Sequence, residues 1–84
     1  MKILIDVYEK QGSESRVAGE ADKGSFEPRI ERFDCPVPAN VFLKIRGAEL
    51  MAPASYGQDI KGREVELRTY ENETHDFFVK IWRA

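Results

Sequence analysis

His75 and Asp76 stand side by side near the C-terminal end of the sequence. A His–Asp neighbour pair can orient an imidazole for general-base work. Adjacent residues of a strand point to opposite faces, however, and these two open the alternating segment HDFFVKIW. The chain has no other histidine and one cysteine, Cys35, which lies directly before Pro36 without the spacing of a redox or metal motif. A structural zinc site draws about four ligands, more than one Cys and one His provide. Neither G-x-x-x-x-G-K-[ST] nor G-x-G-x-x-G occurs. Carboxylates are abundant, among them Glu9, Asp34, Asp59 and Glu71, but no spacing singles out an acid–base pair. The expectation is a protein with no catalytic residues, no metal and no cofactor.

The second chemistry on offer is recognition. Read as a strand, HDFFVKIW sends Phe77, Val79 and Ile81 to one side and Phe78, Lys80 and Trp82 to the other. One side serves a core. The other carries two large aromatics and a lysine, either as a second core covered by the chain itself or as an interaction surface. Trp, Tyr and Arg are enriched at binding hot spots, and exposed apolar patches mark partners. The expected partner-binding residues are Arg68, Phe78, Lys80 and Trp82, with Tyr56 as an outlier in the irregular stretch 47–62. Phe78 and Trp82 would anchor, and Arg68 and Lys80 would orient. This describes a non-catalytic protein that binds a protein partner or itself. Two rivals come from other classes. One is single-strand nucleic-acid binding, in which rings stack on bases and Arg68, Lys80 and Arg83 track phosphates; Glu64, Glu66 and Glu71 oppose it. The other is a small-ligand site or enzyme assembled across an oligomer interface.

Several elements must position these residues. KILIDVYE alternates and predicts a first strand, followed by a turn around Gly12 and a return strand in SRVAGEA. Pairing Val7 with Val17 and Lys10 with Glu14 avoids a like-charge pair of Glu9 with Glu14. Phe26, Ile30 and Phe33 recur at helical spacing, which predicts one short helix over 26–33 with Ser25 as cap. An edge strand there would send Ile30 and Phe33 to opposite faces. CPVPAN reads as an extended connector, and NVFLKIRG as a strand rich in β-branched residues. REVELRTYE and HDFFVKIW form the last hairpin, with Val65 opposite Ile81, Glu66 opposite Lys80 and Leu67 opposite Val79, around a loop at Asn72-Glu73-Thr74. The predicted architecture is mainly β within an α+β class. It is a small antiparallel sheet or open barrel of about five strands, with the helix between the second and third.

The totals agree with this picture. With 84 residues the chain makes one domain, 1–84, that buries roughly 60–65% of its unfolded surface. Apolar residues form 42% and charged residues 33%, a globular composition. The net charge of −2 lacks the basic surplus of a duplex-DNA or anionic-membrane binder. A lone cysteine rules out an internal disulfide and favours a reducing compartment. Asp6 interrupts an N-terminal apolar run already too short for a signal peptide, and no stretch reaches the ~20 apolar residues of a membrane span. These features predict a cytoplasmic protein.

Overall fold

A computed structural model describes residues 1–10 and 29–83. The elements run β1 (Lys2–Glu9), β2 (Arg29–Phe33), α1 (Pro36–Ile45), β3 (Glu49–Leu50), β4 (Ser55–Gln58), β5 (Glu64–Glu71) and β6 (His75–Trp82). All strand pairings are antiparallel, in the order β2-β1-β6-β5-β3, and β4 also pairs with β5. β3 and β4 thus divide one flank of β5 between them. The ends of the sheet do not meet, so the described residues form an open sheet with α1 between its second and third strands.

Alternation builds the two long central strands. Ile3 pairs with Ile81, Ile5 with Val79 and Val7 with Phe77, so every apolar residue on this side of β1 meets one on β6. α1 lies over this face. Its Ala39 and Leu43 join Ile3, Ile5, Phe77, Val79 and Ile81 in the core, with Phe33, Phe42 and Tyr70 packed around them. Phe42 meets Phe33 and Phe77 edge-to-face at 5.5 and 6.4 Å. Complete burial of Ile5 and Phe77 contributes about 1.5–3 kcal/mol each.

The helix corrects the sequence reading. Ile30 and Phe33, expected on a helix over 26–33, lie on β2, where they face opposite sides as an edge strand requires: Phe33 pairs with Ile3 and Ile30 with Asp6. Residues 41–46, expected as a strand, instead end the helix. Pro36 occupies the first turn, where its missing N–H costs nothing. At the other end Gly47 takes φ +61°. Its N–H donates to the Lys44 carbonyl, and that of Ala48 to the Leu43 carbonyl, both at 3.0 Å. This is the Schellman arrangement, and it needs a residue at ease with positive φ. The predicted return strand in SRVAGEA, its pairings of Val17 and Glu14, and the cap at Ser25 fall outside the described residues.

The last hairpin forms where expected but one residue out of the expected register. Glu66 pairs with Ile81, Leu67 with Lys80 and Arg68 with Val79. The turn sets this register. Asn72 Oδ1 accepts from the N–H groups of Thr74 and His75 at 2.8 and 2.7 Å, while the N–H of Asn72 donates to the His75 carbonyl at 3.0 Å. Glu71 is then fixed opposite Asp76. Apolar pairing could not decide the matter, because both faces of β6 are largely buried: Phe77, Val79 and Ile81 on one, Asp76 and Phe78 on the other.

Candidate functional site

The register divides the expected binding residues between the two faces. Phe78, Lys80 and Trp82 share the face away from α1, while Arg68 stands on the helix side opposite Val79. Tyr56 lies on β4 across from Glu66 and is 77% exposed.

The three residues of the far face are engaged within the chain. Phe78 is buried and meets Tyr8 edge-to-face at 5.3 Å. Lys80 is half-buried, and its charge acts on Asp6. Burial pushes the Asp6 carboxyl above its ordinary range, against the pull of Lys80. Trp82 donates its indole N–H to Asp59 Oδ2 at 3.0 Å, and Lys2 Nζ lies 4.9 Å from the centre of the ring. Asp59 in turn organises the turn before β5. Its Oδ1 accepts from the N–H groups of Lys61 and Arg63, and its Oδ2 from Arg63 Nε at 2.8 Å. The N–H of Gly62, at φ +77°, donates to the Asp59 carbonyl. Hydrogen bonds to Arg63 first, then to Trp82 and Lys61, outweigh burial and bring the Asp59 pKa down to about 2.

On the helix side, Glu66 is buried between two guanidinium groups. Its Oε2 accepts from Arg68 Nε, and its Oε1 from Arg83 Nη2 at 2.9 Å and Nε at 3.2 Å. Burial raises the Glu66 carboxyl, and the hydrogen bonds from both arginines override it, so the pKa lies below its ordinary value. The hydrogen bond to Tyr70 and the Glu66 carboxylate raise that of Arg68 against the effect of burial. Arg68 and Arg83 border a groove of about 100 Å³ floored by Ile3, Val79 and Ile81 beneath the first turns of α1. That volume is well below the roughly 300–1,000 Å³ of small-molecule pockets. A wider hollow of about 660 Å³ near the β5–β6 turn is open and lined by charges of both signs, including Lys10, Arg46, Glu49 and Glu71. Lys10 there pairs with Glu71 at 3.0 Å.

The groups considered for catalysis do not converge. His75 and Asp76 point to opposite sides of β6; His75 Nδ1 lies 2.7 Å from Thr74 Oγ1, and Asp76 is fully buried. Cys35 is exposed at the start of α1 and gives the helix no side-chain cap. Among the described residues no three His, Cys, Asp or Glu side chains could hold a metal ion. No described helix is long and apolar enough to cross a membrane.

The feature that sequence reasoning missed lies on the outer side of α1. Val37 is 69% exposed, Val41 47% and Ile45 76%. They recur every four residues, so they form one stripe along the helix. Val41 lies two positions from both Ala39 and Leu43, about 200° of rotation from each. The stripe therefore points almost directly away from the core. Pro36 and Pro38 are also exposed, and the polar exposed positions of α1 are Asn40 and Lys44. A solvated helix face normally carries charges. The stripe was legible in principle: Pro36 marks a helix start, Gly47 a helix stop, and the four-residue spacing fits between them. Against known protein families, curated proteins and solved structures, the chain matches none.

Proposed function

We propose that this protein is a non-catalytic binding domain that acts through protein–protein contact, and that its contact surface is the outer face of α1. The observation that carries the reading is the apolar stripe Val37, Val41 and Ile45 on a helix whose opposite side already serves the core. Isolated exposed apolar residues are ordinary, whereas an aligned row on one helix face is the geometry of helix-mediated recognition. The engagements of Phe78 with Tyr8, and of Trp82 with Asp59 and Lys2, favour this face over the aromatic side of β6. Among the described aromatic residues, Tyr56 on β4 is the one that is largely exposed.

A photo-crosslinking residue placed at position 41, in the protein expressed in its own cells, tests the reading. The control is the same residue at exposed position 61. Discrete protein adducts are expected at 41 and not at 61. Equal labelling at the two positions, or none at either, would refute the assignment.

A further inference from the structure

We infer that the occupant of the α1 stripe is a second copy of this chain, docked helix against helix in antiparallel order about a two-fold axis at Val41. The inference rests on the reading of α1 as the contact face and names its partner.

The spacing of the stripe is self-complementary. Val37 and Ile45 lie four positions to either side of Val41, so in an antiparallel pair Val41 meets its own copy and each Val37 meets an Ile45. Parallel order stacks the helix dipoles unfavourably, whereas antiparallel order opposes them. The charges also fit. Lys44 is the one charged side chain among the exposed residues of α1, and Asp34 lies just before the helix. With the axis at Val41, Lys44 faces position 38 of the second copy, four positions from its Asp34 and within a long side chain's reach of that end, and the two lysines lie on opposite sides of the axis. No acidic residue stands in the first turn of α1. Three β-branched side chains bury less than the roughly 800 Å² per partner of a standard interface, so the pairing is weak and depends on concentration.

The test is sedimentation velocity on the full chain from roughly 10 µM to 1 mM, the range in which interfaces of less than standard size dissociate. The expected result is a mass that climbs toward twice the monomer with concentration, while Val41→Glu stays monomeric with an unchanged circular-dichroism spectrum. Ile45→Ser serves as the second variant in case Val41→Glu does not fold. Asp34→Lys weakens the association, and Asp34→Lys combined with Lys44→Glu restores it. In a Cys35→Ser background, Val41→Cys forms a disulfide dimer on mild oxidation. The unaltered chain does not, because its two Cys35 thiols lie toward opposite ends of the pair.

A protein that stays monomeric throughout the range overturns the self-pairing. If position 41 nevertheless crosslinks to a different protein, the contact-face reading survives this failure; if it crosslinks to nothing, both fail. A dimer indifferent to both stripe substitutions overturns the self-pairing at α1, and crosslinking at position 41 again decides the contact-face reading. A dimer that Val41→Glu abolishes, but in which Asp34→Lys has no effect or Val41→Cys fails to crosslink, overturns the antiparallel arrangement.

Discussion

Trp82 and Asp59, 23 positions apart, are joined by an indole N–H donating to a carboxylate oxygen at 3.0 Å, and this bond ties the end of β6 to the turn that precedes β5. Asp59 holds its pKa near 2, below the ordinary 3.8. A depressed acid stabilises the fold above its ordinary pKa and loses that contribution as pH falls through the folded value. We predict that Asp59→Asn lowers the urea midpoint at pH 7. The gap from the parent should narrow as pH falls from about 4 to about 2. A gap constant across that window would contradict the assignment. Trp82→Phe keeps the ring and removes the donor, and should reproduce part of the loss at pH 7.

The two arginines on Glu66 differ in weight. The Glu66 side chain is 5% exposed, that of Arg68 33% and that of Arg83 60%. Replacing Glu66 by Ala leaves Arg68 half-buried without its carboxylate and should cost about 2 kcal/mol in denaturant unfolding. Arg83→Ala removes a solvent-screened partner and should cost less than about 1 kcal/mol. Equal losses would mean that the cluster acts as one unit.

Opposite sides of α1 should respond differently to truncation. Leu43 is 6% exposed in the core, and Leu43→Ala should destabilise by about 2–4 kcal/mol. Val41 is 47% exposed, and Val41→Ala should stay within about 0.5 kcal/mol, measured at a concentration where the protein is monomeric. A large loss from Val41→Ala would place that side chain in the core and remove the basis of the contact face.

Asp6 carries the opposite pH signature to Asp59. Its carboxyl is raised by burial, so its folded form resists ionisation, and the fold loses stability as pH rises from 3.8 through the higher folded value. Asp6→Asn should therefore raise the melting temperature at pH 7 and have little effect at pH 3. Lys80→Met removes the charge that opposes the shift and should lower stability at pH 7. A stabilising effect of Asp6→Asn that is equal at both pH values would exclude the burial account.

Asn72 anchors the β5–β6 turn from both sides. Besides the bonds accepted by its Oδ1, its Nδ2 donates to the Arg46 carbonyl at 2.8 Å and so links the turn to the end of α1. Asn72→Ala should cost roughly 1–2 kcal/mol. Amide exchange should quicken at both the turn and the end of α1. Faster exchange confined to the turn would show that the Arg46 link carries no stability.

The strands were legible where alternation and burial agree. KILIDVYE and HDFFVKIW alternate in sequence and pair in the structure, and among the described residues the six-stranded open sheet keeps the antiparallel design with a helix between its second and third strands. The helix position was lost because Val41, Leu43 and Ile45 satisfy two periods at once. As a strand they share a face; on a helix Leu43 turns inward while Val41 and Ile45 turn outward. β-Branched content favoured the strand, and only Pro36 and Gly47 at the two ends argued otherwise. The hairpin register was lost because the pairing of Glu66 with Lys80 looked decisive. In the structure Glu66 is held instead by Arg68 and by Arg83, beyond the last strand. The expectation that Arg68 shares a face with Phe78 and Trp82 inherited that error, since a slip of one moves it to the other side of the sheet.

The strand order also sets a timetable for synthesis. β6 lies between β1 and β5, yet it is made after both, and Ile3 must wait for Ile81. Until His75 and the residues after it leave the ribosome, β1 and β5 have no common neighbour, and α1 has only part of its floor. A nascent chain halted before β6 holds Ile3 and Ile5 without the strand that pairs beside them, and loop closure over most of the sequence must precede the gain from that contact. The sheet thus closes in its middle and last.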